Sequence, residues 1–572
     1  MPEQPTHTFF NSRCAEYKTP FGAVPAGQTV TWRLTVPERL GYVDPHLVLT
    51  KDREDPVHYR MDFDGQTPGV NHFVFQLAPT TSGLYFYHFD LYTDFRKIYR
   101  TANGEGELTW VNGLDWQLTV YEPDFKTPDW IKDGTMYQIF PDRFCNGTHE
   151  KNGADIEKWR TGPVSNAERF GGNLEGIRKK LPYLHDLGIS GIYLNPIMEA
   201  ESTHKYDTRD YTKIDPQFGT NEEFARLVKE AHAHGIRIMV DAVFNHCGRS
   251  FGPWADVVEK KSGSPYADWF MIQDWDAFER DGRFYSFAFT DRMPKLNTNN
   301  PEVIRYFCQV CKRWIREFDI DGIRFDVGNE VSHRFLKELR RQLKSVKPDL
   351  YLLGEIWHDA SQWLGGDEYD SVMNYPLTSG IQDFFLDQAA EKDEFEYMVN
   401  RCYTMYMQQN NNVIFNLLDS HDTERLMNRC QDLDIFYQQL AILFTMPGSP
   451  CIYYGTEIAL EGAHDPDCRR CMPWDEIDSA ENQKKIESLI RMRIQEDACR
   501  SLYFDFPHKY SQKRCVEYRK LNLDGKWIEV LLNCGSEPIE IQGQGEILFA
   551  RRCEGNSLDV RGTLIRRLPS TV

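Results

Sequence analysis

From Trp130 onward, short apolar runs alternate with amphipathic helical stretches, and they do so eight times. The runs fall near residues 136–140, 189–194, 237–240, 322–326, 351–355, 371–373, 414–418 and 451–454. Helical patterns such as 174–187 and 221–234 fill the gaps. Strands of a parallel sheet are covered on both faces and so read as continuous apolar runs. Eight strand–helix units in a row predict a (β/α)8 TIM barrel. The third unit carries a long insertion, from about 246 to 297, before its helix resumes.

The flanks have a different texture. Before residue 122 the strand candidates are 29–36, 46–50, 71–77, 83–92 and 116–121, separated by turn-rich pieces. That spacing predicts an N-terminal β-sandwich. Its aromatic run at 84–89 suits a carbohydrate-binding module, or the sandwich's own core. After about 503 the chain returns to short strands such as 527–532, read as a small C-terminal β-sandwich. The expected domains are therefore 1–122, a catalytic barrel over 123–500, and 501–572.

Composition removes several classes of function. The 572 residues carry a formal net charge of -20, which disfavours nucleic acid as a partner. The longest apolar stretch, 441–459, is broken by Pro447, Gly448 and Pro450, so no membrane span is expected. The first residues show no signal peptide, and 14 scattered cysteines read as reduced thiols. A cytoplasmic protein is expected.

The stretch Asp321-Gly322-Ile323-Arg324-Phe325-Asp326-Val327 shows where chemistry could sit. Strand geometry puts Ile323 and Phe325 on one side and Arg324 and Asp326 on the other. A structural ion pair would explain this stretch alone. Other strand ends repeat the pattern, however. Asp241, Asn245 and His246 follow the third run, Glu355 closes the fifth, and His421 and Asp422 follow the seventh. In a barrel such ends converge on the active site. A cup of carboxylates with two imidazoles and a guanidinium is the equipment for cleaving a glycosidic bond. Arg324 beside Asp326 is expected to keep that carboxylate ionised.

Four motifs together resemble the α-amylase family, glycoside hydrolase family thirteen. They are Asp241-Ala242-Val243-Phe244-Asn245-His246, Gly322-Ile323-Arg324-Phe325-Asp326, Gly354-Glu355-Ile356-Trp357 and Leu418-Asp419-Ser420-His421-Asp422. Met293-Pro294-Lys295-Leu296-Asn297 and Val327-Gly328-Asn329-Glu330 are similar to the neopullulanase, cyclomaltodextrinase and maltogenic amylase group, with Gly328 where that group has Ala. The resemblance implies a retaining α-glucan hydrolase acting on maltodextrins, cyclodextrins or pullulan. It implies Asp326 as nucleophile, Glu355 as general acid/base and Asp422 as transition-state stabiliser. Tyr206, His246, Arg324 and His421 would hold the sugar at the cleavage point. Asp465 and Arg469 would grip the next glucose, and Trp357, with Glu330 nearby, would form an acceptor platform.

The group's calcium site follows the first barrel strand. Thr148 and Asn173 stand where carboxylates are usual. Calcium favours carboxylate oxygens, so no cofactor is expected to be required, with calcium left possible. The resemblance also implies a homodimer through the N-terminal domain, whose Tyr85, Tyr87, Tyr92 and Trp110 are residue types enriched at interfaces. Several alternatives stay open. They are a glucanotransferase or isomerase on the same scaffold, a non-catalytic glucan-binding relative, and zinc held by Cys468 and Cys471 with Cys308 and Cys311, although the second pair, three apart on a helix, reads better as core packing. His232 and His234 are expected to be solvated.

Overall fold

The computed structural model describes residues 7–93, 95–102, 104–147, 156–387, 390–479, 481–521 and 525–569. Thr148 lies outside them. The barrel strands are β1 (Met136–Ile139), β2 (Gly191–Leu194), β3 (Arg237–Ala242), β4 (Gly322–Phe325), β5 (Tyr351–Gly354), β6 (Ser371–Val372), β7 (Phe415–Leu417) and β8 (Ser449–Tyr453). They pair in parallel in the order β6-β5-β4-β3-β2-β1-β8-β7. A parallel bridge from Met373 to Phe415 joins the two ends and closes the barrel. The seam is also laced by Asn374, whose main-chain N–H donates to Phe415 O at 2.8 Å and whose amide donates to Asn416 Oδ1 at 2.8 Å.

Side-chain alternation sorts each strand. Ile192, Ile238, Val240, Ile323, Phe325 and Leu352 face the surrounding helices. Met136, Tyr193, Met239, Tyr351, Leu353, Phe415 and Leu417 pack inside the barrel. Polar residues take over at the carboxyl end, where Gln138, Asp241 and Arg324 are buried. At the opposite end, Asp321 is bound by His232 at 2.7 Å, Arg237 at 3.0 Å and Lys347 at 3.1 Å. His232 is thus a hydrogen-bond partner of a buried carboxylate rather than a solvated side chain. Burial opposes ionisation of Asp321, but its hydrogen bonds to His232 and Ile238 leave its pKa below the usual value.

Two excursions rise over the carboxyl end. After β2, an antiparallel hairpin pairs Met198–Ala200 with Thr208–Ile214, an element the apolar-run pattern does not reveal. After β3, the insertion holds the helices Gly252–Lys260 and Trp275–Asp281. It returns at Lys295, which bridges to His246, while Leu296 N donates to Asn245 O at 3.0 Å. The motif around Lys295 therefore locks the insertion onto the end of β3.

The N-terminal part forms two antiparallel-rich sheets around its own core, which includes Phe10, Trp32, Leu34, Phe89, Trp116 and Leu118. Tyr85 and Tyr87 belong to that core, because alternate residues of Gly83–Leu91 point inward. Of the four aromatics named for an interface, only Tyr92 and Trp110 are exposed, beside Tyr42, Phe63 and Phe95. The C-terminal strands join in one six-stranded sheet. One face, including Val516, Tyr518, Val530 and Leu532, continues the barrel core, and the other packs Cys515, Leu531 and Leu558 under Ile539 and Ile541.

All three parts meet at Glu396, fully buried on the helix Lys392–Cys402. Its Oε2 receives Arg13 of the N-terminal part at 3.1 Å and His508 of the C-terminal part at 2.6 Å. All 14 cysteines are free thiols, and Cys308 and Cys311 pack inward from the helix Pro301–Phe318. No helix among the described residues is long and apolar enough to cross a membrane.

Candidate active site

A cavity of about 410 Å³ opens at the carboxyl end of the barrel. Tyr206, His246, Asp326, Glu355, Trp357, Asp422, Asp465 and Arg469 line it. These residues come from six separate stretches of the sequence, so the strand ends do converge as the barrel requires. Arg324 and His421 lie beneath the floor, fully buried. Glu330 stands at the rim, where Lys295 pairs with it at 2.7 Å.

Arg324 organises the floor. Its Nη1 lies 2.9 Å from Asp241 Oδ1 and 3.0 Å from Asp326 Oδ1, and its Nη2 lies 2.9 Å from Glu355 Oε2. Asp241 also accepts from Tyr193 at 2.6 Å and from Tyr206 at 3.0 Å. One guanidinium thus faces three carboxylates. That count corrects the expectation for Asp326. Burial pushes its pKa well above the usual range, and Glu355 and Asp241 add to the rise against Arg324. Shared among three acids in a dry site, Arg324 opposes that rise without cancelling it. Asp422 is likewise raised, to about 7, by burial and then by Glu355, with Arg469 opposing.

The chain then turns sharply. Val327, a β-branched residue, has φ +48°. That conformation costs on the order of 1–3 kcal/mol. It aims the Val327 N–H at Glu355 Oε2, 2.8 Å away. The other oxygen, Oε1, accepts from the Trp357 indole at 3.1 Å. Trp357 is 50% exposed and stacks on Tyr375 at 3.8 Å and 6°. Its ring is therefore fixed on one face and open on the other.

The imidazoles form a second network. Gln138 Nε2 donates to His421 Nδ1 at 2.8 Å and to Asn195 Oδ1 at 3.0 Å, and Asn195 donates to Tyr206 Oη at 3.1 Å. With Nδ1 accepting, His421 carries its proton on Nε2, facing Tyr206 Oη at 2.6 Å and Asp422 Oδ2 at 3.1 Å. Burial drops the His421 pKa well below its usual value and that of His246 to about 3. Both rings are thus neutral. Tyr206 sits at the tip of the hairpin after β2 and stacks on His421 at 5.5 Å. The tip is fixed by Lys205, buried and paired with Asp215 at 2.9 Å. Arg469 pairs with Asp465 at 2.9 Å and donates to His421 O at 3.0 Å.

Sequence reasoning missed Asn166, Phe287, Met293 and Asn329 in the cavity wall. Phe287 stacks on His246 at 4.7 Å and 17°. It comes from the insertion, 41 residues along the chain, and no local pattern links the two.

A barrel with this cup of carboxylates over a sugar-sized cavity belongs to the glycoside hydrolase class. The alpha-amylase catalytic domain matches residues 138–505. A maltogenic alpha-amylase of Bacillus acidopullulyticus is 44% identical over 422 residues, 73% of this chain and 72% of that protein. An intracellular maltogenic amylase of Bacillus subtilis is 48% identical over 383 residues, 66% of this chain and 64% of that protein. A solved cyclomaltodextrinase superposes with a TM-score of 0.75 at 32% identity, covering 98% of this chain and 99% of that one. The chain belongs to the alpha-amylase family.

Proposed function

We propose that the protein hydrolyses α-glucosidic bonds in maltodextrins, cyclodextrins or pullulan with retention of configuration. Its relatives named maltogenic amylase and cyclomaltodextrinase support the substrate class. The observation that carries the mechanism is the gathering of Asp326 and Glu355 by the two Nη atoms of one buried guanidinium. In this reading the Asp326 carboxylate attacks the anomeric carbon while Glu355 gives its proton to the departing oxygen. Glu355 then takes a proton from water, which displaces Asp326 and restores both groups. Asp422, steadied by His421 and Arg469, faces the positive charge of the transition state. Tyr206 and His246 pack on the reacting sugar, and Asp465 with Arg469 holds the next one. Trp357 is the acceptor platform, so transfer to a second sugar accompanies hydrolysis.

Asp326→Asn and Glu355→Gln should each lower turnover by about three orders of magnitude or more in folded protein. Wild-type turnover by Asp326→Asn on cyclodextrin, maltodextrin and pullulan would refute the assignment. Nuclear magnetic resonance of the first product should show the α anomer. A β anomer would instead require inversion.

We also propose metal-independent activity in the cytoplasm. Asn173 Oδ1 is taken by the N–H groups of Gly176 at 2.8 Å and Gly147 at 3.2 Å, as the cap of the helix Leu174–Lys179. The Asp142 carboxylate is taken by Arg143, Gln217 and the N–H groups of Phe170 and Gly171. Lys179 Nζ already contacts Gly147 O. Oxygens engaged in this way do not fit a calcium shell, so no step is assigned to a metal. The name of the intracellular relative supports the location.

A further inference from the structure

A second cavity, of about 200 Å³, lies where the N-terminal sheets meet the helix Lys392–Cys402. Lys18, Arg100, Asp115, Tyr397, Asn400 and Arg401 are among its walls. It shares no residue with the sugar-sized cavity.

Two of these side chains are buried without adequate partners. Lys18 is 7% exposed, and its ammonium donates to the carbonyls of Pro20 at 2.7 Å and Gly22 at 2.9 Å. An ammonium has three hydrogens, and neither partner is charged. No carboxylate lies within ion-pair distance of it among the described residues. Burial alone brings its pKa down to about 7. Asn400 is 3% exposed, and neither its amide nitrogen nor its oxygen has a partner. Buried polar groups are ordinarily satisfied, so this pair calls for something in the cavity.

The charge around them has one sign. Arg100 donates to the main-chain carbonyls of Asp115 at 3.0 Å and Thr101 at 3.3 Å, with its guanidinium over the Tyr397 ring. Arg401 pairs only at 3.8 Å, with exposed Asp359. Asp115 is the sole acid in the wall and is bound by His88 at 2.8 Å. Two guanidiniums and the buried Lys18 amine, which a bound anion would hold protonated, therefore face a space whose one carboxylate is already engaged, in a chain of net charge -20. A phosphomonoester, with about 1.5 to 2 negative charges near neutral pH, answers that excess better than a single carboxylate. The Asn400 amide can donate to a ligand oxygen and accept from a hydroxyl.

We propose that this junction cavity binds a small phosphorylated polyol, with Lys18 on the phosphate and Asn400 on a hydroxyl. Calorimetric titration of the full chain tests it, with glycerol 3-phosphate, inorganic phosphate, glycerate and glycerol as probes. Glycerol 3-phosphate should bind saturably at one site, inorganic phosphate more weakly, and glycerol not at all. Lys18→Met should weaken glycerol 3-phosphate roughly tenfold or more, about 1.4 kcal/mol or above. Asn400→Leu should erase its advantage over inorganic phosphate. Both variants should keep wild-type hydrolysis, which also reports folding. If Lys18→Met does not fold, Arg100→Gln takes its place with the same expectation. Absence of saturable binding overturns the proposal, as does binding untouched by these substitutions. Glycerate binding as tightly as glycerol 3-phosphate overturns the phosphate assignment.

Discussion

At the scale of single residues, the site concentrates charge that water would otherwise stabilise. Asp326 has a higher pKa folded than unfolded, so folding takes up a proton between the two values. The destabilisation appears as pH rises through the folded value. Asp326→Asn should therefore raise the melting temperature at pH 8 and do so less at pH 4. The acid limb of wild-type kcat/KM should also lie above the ordinary aspartate range. Equal melting shifts at both pH values would contradict the account. Gly328 permits a second test. A Cβ there would meet Tyr369 Oη at 2.9 Å and the main chain of Glu355 at 3.1 Å. Gly328→Ala should lower kcat severalfold by pressing on Glu355, and adding Tyr369→Phe should restore part of it. Additive losses would mean the two do not touch functionally. The alternation in 321–327 was legible, since two-residue periodicity alone separates Ile323 and Phe325 from Arg324 and Asp326. The charge on Asp326 was not, because it depends on how many acids share Arg324, and three strands supply them.

At the scale of elements, the eight barrel strands were readable because a strand covered on both faces must be apolar throughout. Their observed bounds fall within a residue or two of the runs, as for Tyr351–Gly354 against 351–355. The hairpin carrying Tyr206 was not readable. Thr208–Ile214 offers only Tyr211 and Ile214 as apolar residues, three positions apart, so it lacks the two-residue alternation of a strand. The cap formed by Asn173 yields a prediction at this scale. Asn173→Ala should cost about 1 kcal/mol of stability, and a chelator should leave wild-type activity intact. Loss of activity with a chelator, restored by calcium, would show that Asn173 and its neighbours bind metal after all. The platform at the end of β5 yields another. Trp357→Ala should reduce the ratio of transfer to hydrolysis at high sugar concentration, with hydrolysis of short substrates less affected. An unchanged product ratio would remove Trp357 from the acceptor side.

At the scale of the whole molecule, the sequence suggested sheets on both sides of a barrel but not how they are joined, since the contacts span hundreds of residues. Gln117 and Thr119 donate to Met405 O, and Tyr121 donates to Gln408. The exposed Tyr92, Phe95 and Trp110 leave an aromatic surface that we expect to pair two copies of the chain. Sedimentation at micromolar concentration should find a dimer that Trp110→Ala weakens. A monomer throughout would leave that surface unexplained. Glu396 carries a different consequence. Removing one partner from a buried ion pair costs about 3–5 kcal/mol, and this carboxylate has partners in both flanking parts. Either flank, in coming away, would take one of those partners from it. On heating, the chain should melt as one unit, giving a single endotherm where three structural parts could have given three. Arg13→Ala should split off an earlier transition. A single endotherm for the wild type and a split one for Arg13→Ala would together mean that one shared carboxylate makes the protein thermally indivisible.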